Sequence, residues 1–346
     1  MRLSLRIKKP VGFGGRLSGS VSYGYAGTRT RAMASRLLIE SDYEKFLKMD
    51  TNEIIRFLEE GEYKAEIDAI GAKAARIQYF EKILNENFAN AINKLISFAP
   101  KKSPVKAYLI KYDIMNIKTL LRGIETKRPR AELERNLIQT GTFSREFLKK
   151  LSEKTSKEGV IKQLENTEYC EVLEGKKNLE GFEDALDRFY FEKMLGVAKK
   201  HKNLLNLIKL EIDAKNILLL LRLKNAKIKN MGVFFVKGGN LSIKKLIEFS
   251  FLDSYEIIKL FKDKIWWRYT PTGTKELDKI EAGLKKYVML RGVDLLRSYV
   301  PSFDTLLGYI IAKEREIDNI RVVLRSKLSK NPEDALNIRS KLFVKK

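Results

Sequence analysis

The chain has 346 residues, 44% hydrophobic and 10% aromatic, a composition that excludes a disordered polypeptide and gives room for two or three cores. Its 68 Lys and Arg against 44 Asp and Glu leave a net charge of +24, which favours anionic partners: nucleic acid, acidic protein surfaces or anionic lipid. A single cysteine, Cys170, excludes an internal disulfide, fits a reducing compartment and is expected as a small buried apolar residue; the longest apolar run, residues 217–221, falls far short of the ~20 residues that cross a bilayer.

In chain order, residues 1–22 read as a basic extension. Leu3, Leu5 and Ile7 alternate with Arg and Ser, and Gly12, Gly14, Gly15 and Gly19 predict a flexible tail. No acid occurs before Glu40, as in a transit peptide, but the apolar core of a secretory signal is missing and export is not expected. No Gly-Lys-Ser/Thr follows the glycines, so they make no phosphate loop. From Tyr23 the spacing turns helical through Tyr25, Ala26, Arg29, Met33 and Leu37. Asp42 can cap a short helix bearing Tyr43, Phe46 and Leu47, and Thr51-Asn52-Glu53 opens another with Ile54, Phe57 and Leu58. A long helix is predicted from Ile77 to Phe98, interrupted by Pro100 and Pro104, with Val105 starting the next.

That next helix carries Asp113-Ile-Met-Asn116-Ile117-Lys-Thr-Leu120-Leu121-Arg122. The pattern returns as Asp213-Ala-Lys-Asn216-Ile217-Leu-Leu-Leu220-Leu221-Arg222, and again as Glu316-Ile-Asp-Asn319-Ile320-Arg-Val-Val323-Leu324-Arg325. An acid, Asn three later, Ile, then apolar-Leu-Arg recur at fixed offsets, so one unit is used three times. Phe143, Phe147-Leu148 and Glu168-Tyr169 echo Tyr43, Phe46-Leu47 and Glu62-Tyr63. The third copy offers Leu241, Leu246, Ile257, Leu260, Trp266-Trp267, Leu284, Tyr287 and Val293, and its residues 232–236 with Gly238-Gly239 read as a small strand and turn. The expected organisation is an extension over 1–22 and all-α repeats over 23–128, 129–228 and 229–346.

Helix geometry limits what the signature can do. Asp113 and Asn116 share a face, whereas nine steps of ~100° put Arg122 half a turn from Asp113, so the trio cannot converge on one ligand from one helix. Leu109, Tyr112 and Leu120 put Asn116 on the apolar face, where a buried amide must be hydrogen-bonded and fixes packing register. The signature residues Asp113, Asn116, Arg122, Asp213, Asn216, Arg222, Glu316, Asn319 and Arg325 are therefore expected to orient neighbouring helices. The lone histidine, His201, stands among Lys199, Lys200 and Lys202 and is expected to be solvated. No Cys/His cluster has metal spacing and nothing pairs a nucleophile with a base, so no catalytic residue, cofactor or metal is expected. Arg29, Arg31 and Arg36 on the first helix are candidate interface residues. A basic helical-repeat protein binding nucleic acid is the competing reading, but no reading element or stacking aromatics accompany the charge and no nucleic acid is expected.

Tyr23-Gly-Tyr25-Ala26-Gly-Thr-Arg29-Thr-Arg31-Ala32-Met33-Ala-Ser35-Arg36-Leu37-Leu38 resembles the opening of the C subunits of archaeal and bacterial A/V-type ATP synthases. The stretch from Tyr108 to Gly123, with its Asp113, Asn116 and Arg122, resembles that family's strongest motif, and Arg56-Phe57-Leu58-Glu59-Glu60-Gly61-Glu62-Tyr63 fits between them. The likeness covers about residues 23–330, with Tyr112 where many members have tryptophan. It implies an all-helical funnel of three similar domains about a pseudo-threefold axis, a counterpart of the d subunit of eukaryotic V-ATPases. It also implies a non-catalytic part, one copy per complex, on the cytoplasmic face of the membrane. There its cavity would receive the central stalk, and it would couple stalk rotation to the proteolipid ring, linking ATP synthesis or hydrolysis to proton or sodium transport.

Overall fold

The computed structural model describes residues 18–74, 76–262, 269, 276–328 and 342–343. Among these, α1 (Ser18–Ala34), α2 (Glu40–Lys48), α3 (Thr51–Glu59) and α4 (Lys64–Ile70) precede the long α5 (Ile77–Phe98) and the short α6 (Val105–Tyr108). Next come α7 (Ile110–Glu125), α8 (Arg130–Asn136), α9 (Arg145–Ser152), α10 (Lys157–Gln163) and α11 (Glu168–Leu173). They lead to α12 (Leu179–Ala198) and α13 (Lys202–Asn225), and then α14 (Ile243–Ser250), α15 (Ser254–Lys262), α16 (Leu277–Asp294) and α17 (Phe303–Leu328). The described residues are all-α with no strand, and no helix among them is long and apolar enough to cross a membrane.

Polar starts set the short helices. Asp50, not Thr51, caps α3: its side chain accepts from the Glu53 amide at 2.9 Å while Glu53 accepts from the Asp50 amide at 2.7 Å. Ser144, Ser156, Asn178 and Ser242 cap α9, α10, α12 and α14 in the same way, each accepting an amide of the first turn. The helices α7 and α13 end on the same turn. Lys127 and Lys227 sit at φ 51° and 56°, and the amides that follow reach back to Gly123 O (2.8 Å) and Leu223 O (3.0 Å).

The chain differs from its sequence expectations in several places, among them Asp42, which is the third residue of α2 and not its cap, and Arg36, which lies beyond the end of α1. The first helix begins at Ser18, inside the predicted extension, because buried Ala26 and Thr30 anchor it and a glycine costs a helix only about 1 kcal/mol; residues 1–17, with Gly12, Gly14 and Gly15, lie outside the described residues. Residues 232–236 form turns, not a strand. Their backbone groups are taken by side chains: Arg188 donates to the carbonyls of Val233 (2.7 Å) and Phe234 (2.9 Å), and Asn216 holds both the N–H and C=O of Val236. Cys170 is only half-buried, packed on the core rather than inside it. His201 is half-buried as well, with its ring 5.3 Å from that of Phe303. The Trp266-Trp267 pair lies outside the described residues.

The long helices make the body. Helix α17 packs against α5, α16 and α1, α13 against α16 and α12, and α12 against α7. Most buried apolar side chains belong to one core, including Phe46, Ile92, Leu121, Leu186, Ile208, Leu307 and Ile310. A smaller core gathers Ile217, Leu220, Leu221, Phe235, Leu246, Ile257, Ile280 and Leu284. Each fully buried aliphatic side chain contributes roughly 1.5–3 kcal/mol, so the long helices are held by their faces more than by their caps.

Candidate functional site

The three acids of the recurrent signature reach outward from their own helices and hold backbone elsewhere. Asp113, fully buried on α7, accepts from the Thr142 amide (2.8 Å), the Thr142 hydroxyl (2.6 Å), the Phe143 amide (3.3 Å) and the Tyr169 hydroxyl (3.2 Å). Burial raises its carboxyl above the usual range while these donors pull the other way. Asp213 on α13 accepts from the Leu241 amide (3.0 Å) and the Asn240 side chain (2.8 Å). Glu316 on α17 accepts from the Leu38 amide (2.6 Å), the Tyr63 hydroxyl (2.7 Å) and the Lys313 ammonium (2.6 Å). Gly141 at φ +139° and Gly239 leave room for the first two carboxylates, since a Cβ on either would meet the carboxylate oxygen.

The asparagines make a second grip. The Asn116 side chain bonds both backbone groups of Ile138 (2.8 and 2.9 Å), and Asn216 bonds both of Val236 (2.8 Å each). Asn319 accepts from the Phe343 amide at 2.8 Å, and its Nδ2 has no hydrogen-bond partner among the described residues.

The arginines lie on the opposite face, exposed, and each meets a glutamate: Arg122 with Glu183, Arg222 with Glu281 and Arg325 with Glu81. Such solvated pairs contribute little. Replacing Arg122 with alanine is expected to lower unfolding stability by about 1 kcal/mol or less in urea titration, in contrast with the buried acid nine residues before it.

Between α6, α7, α12, α13, α16 and α17 lies a cavity of about 410 Å³. Leu207, Ala214, Leu218, Leu219, Leu284, Val288, Met289 and Ile311 give it an apolar wall. Lys111, Glu211 and Glu314 also line it, and each stands two residues before a signature acid. The Lys111 ammonium donates to both Glu314 oxygens at 2.9 Å. Burial pulls that ammonium down, but Glu314, Tyr108 and Glu211 together outweigh it and lift it above its ordinary range. Glu211 accepts from the Tyr190 hydroxyl at 3.2 Å. The protein encloses it although it keeps a path to the cavity; burial, reinforced by Glu314 and opposed by Lys111, pushes its carboxyl up to about 7. Beside it Asp187 takes Lys118 on one oxygen (2.5 Å) and Lys215 on the other, which holds its carboxyl low against the effect of burial.

Sequence reasoning missed this group. The register was available, two positions before each signature acid, but the residue type changes from Lys to Glu, so the position carries no repeated letter. The candidate interface arginines all have partners within the chain. Arg29 lies over the Phe98 ring at 4.5 Å and donates to the Tyr25 hydroxyl at 2.8 Å, Arg31 donates to the carbonyls of Ser298 and Tyr299 (2.5 and 3.2 Å), and Arg36 pairs with Glu62 at 3.1 Å.

A family model described as ATP synthase (C/AC39) subunit matches residues 26–338. The A-type ATP synthase C subunit of Methanosarcina acetivorans is 32% identical over 325 residues, covering 89% of this chain and 90% of the relative. The protein of the same description from Methanococcoides burtonii is 31% identical over 344 residues (94% and 96%), and that from Archaeoglobus fulgidus 32% over 313 residues (87% and 91%).

Proposed function

Because the chain belongs to the ATP synthase (C/AC39) subunit family, and so is an A/V-type ATP synthase subunit, we propose that it is the non-catalytic coupler of the rotor. In this reading it joins the central stalk to the proteolipid ring on the cytoplasmic face of the membrane, one copy per complex. ATP synthesis or hydrolysis is thereby linked to proton or sodium transport.

A torque coupler must be stiff and must not slip at either end. The observation that carries the reading is the direction of the signature contacts. With units over 23–128, 129–228 and 229–346, Asp113, Asn116 and Arg122 of the first grip residues of the second, and Asp213, Asn216 and Arg222 of the second grip the third. Glu316 and Arg325 of the third grip Leu38, Tyr63 and Glu81 of the first. Three units that each hold the next and close on the first form a ring with no free end to hinge, and a funnel about a pseudo-threefold axis is its natural shape. The cavity of about 410 Å³, lined from all three units, is where the stalk would enter. Charge complementarity and buried anchors would fix the two faces, one against the stalk and one against the ring loops.

The test is a pull-down of the tagged full chain from detergent-solubilised membranes. Stalk and proteolipid-ring subunits are expected to co-elute together with ATPase activity, and reversing the charges of Arg29, Arg31 and Arg36 together is expected to reduce hydrolysis-driven ion pumping more than hydrolysis itself. Recovery of the chain without either set of subunits would sink the reading.

A further inference from the structure

The charges lining the cavity are paired, with one exception. Lys111 has Glu314, Lys215 has Asp187, Arg222 has Glu281 and Lys285 has Asp318. Glu211 forms no ion pair among the described residues, and its one hydrogen bond there comes from the neutral Tyr190 hydroxyl. A carboxylate facing an apolar-walled cavity with no cation in direct contact is unfavourable, and a ligand that supplied one would relieve it. The rest of the molecule works against such a ligand. With a net charge of +24 the chain as a whole repels basic groups. In the cavity the carboxylates of Glu211, Glu314, Asp187 and Glu281 offset the cations of Lys111, Lys215, Arg222 and Lys285, so a basic group meets less repulsion here.

We propose that Glu211 is the recognition carboxylate of this cavity, and that the stalk segment seated there sets a lysine or arginine against it and apolar side chains against Leu218, Leu219, Val288 and Met289. This rests on the stalk-binding reading above and adds the chemistry of the occupant. The cavity of about 410 Å³ takes several side chains rather than a whole domain, which fits the tip of one helix or loop. Register follows from the charge: only the rotation that brings the basic side chain to Glu211 leaves no ion unpaired, so the stalk docks in one of the three orientations that a threefold ring would otherwise offer.

Docking of this kind is linked to protons. The groups around Glu211 are Lys111 on α7, Glu314 on α17, Tyr190 and Asp187 on α12, Tyr108 on α6, Lys215 and Arg222 on its own helix, and Glu281 and Lys285 on α16. Within that set the Glu211 carboxyl is pushed up to about 7, so it is charged, and ready for a cation, only as the pH rises past neutrality. Between about pH 6 and about pH 8 its charged fraction rises roughly tenfold, and affinity for a cationic segment rises with it.

The probe is the set of central-stalk subunits purified from the same complex, titrated against the immobilised full chain. The wild-type chain is expected to bind about tenfold more tightly at about pH 8 than at about pH 6. Glu211→Gln is expected to bind at least about tenfold more weakly than wild type at the higher pH, with a flat pH profile. Glu211→Asp is expected to keep the pH slope, and it decides the matter if the glutamine variant does not fold. Equal affinity and equal slope in wild type and Glu211→Gln would overturn this inference alone. No binding by wild type at either pH would overturn the stalk reading and the inference with it. If spermidine alone raised the melting temperature of wild type but not of Glu211→Gln while stalk affinity stayed unchanged, the carboxylate would belong to a small amine and the assignment to the stalk would fall.

Discussion

Replacing Glu316 with alanine is expected to destabilise the isolated chain by about 3–5 kcal/mol in urea titration, the cost of leaving a buried charge without its partner. Glu316 and Lys313 are each 2% exposed, and Tyr63 between them is equally buried. The Lys313 ammonium lies 2.6 Å from the Glu316 carboxylate, 3.2 Å from the Tyr63 oxygen and 4.3 Å from the centre of its ring. Alanine leaves that ammonium in apolar surroundings and also removes the acceptor of the Tyr63 hydroxyl and the Leu38 amide. Removing both charges with Glu316→Ala and Lys313→Met should recover much of the loss, because the desolvated ammonium is then gone as well. Hydrogen exchange adds a local readout: the Leu38 amide should lose protection in both variants, since its acceptor is absent from both. A loss below about 1 kcal/mol, in the range of an exposed pair such as Arg325–Glu81, would show that the contact between α17 and the segment around Leu38 is dispensable.

Glu316 also shows where the sequence was legible and where it was not. The offset from acid to asparagine puts both on one helix face, and that much follows from 3.6 residues per turn. What each acid holds does not follow, because the partner lies on another element. In the first two copies it is a loop some thirty residues downstream, carrying Gly141 or Gly239, whose missing side chain lets the backbone come close to a short aspartate. In the third copy the amide belongs to Leu38, at the other end of the chain, and no glycine stands beside it. The one extra methylene of glutamate supplies the reach. A change from Asp to Glu that looks conservative thus marks the position where the partner changes from a following loop to the chain's beginning. Residues 232–236 misled for a related reason: their apolar run suits a strand, but Arg188 and Asn216 take the backbone groups that a strand would need. The cavity was the least legible feature, because its charges come from helices far apart in sequence and only the shared register of Lys111, Glu211 and Glu314 connects them.

Glu211→Gln should make the free protein more stable at about pH 8, by roughly 2–3 kcal/mol, while weakening the stalk binding proposed above. The sign follows from the direction of the shift. Burial, with Glu314 adding to it and Lys111 opposing, raises the carboxyl from 4.5 in the unfolded chain to about 7 in the folded one. Between those two values the folded state binds the proton more readily than the unfolded state, so stability falls as the pH rises through that window and levels off above it. Glutamine carries no charge at any pH and keeps an acceptor for the Tyr190 hydroxyl, so the variant should lack this part of the pH dependence. The two proteins should melt alike at about pH 4, where both side chains are neutral, and diverge as the pH rises, with the variant the more stable. Urea midpoints across that range measure the difference directly. A variant less stable than wild type at about pH 8 would mean that Lys111 neutralises Glu211 already, and that the carboxylate is a structural partner with nothing left to offer a ligand. The expected result leads the other way: a buried charge that weakens the fold above neutrality is open to a partner outside the fold, and in the function proposed above that partner is the stalk.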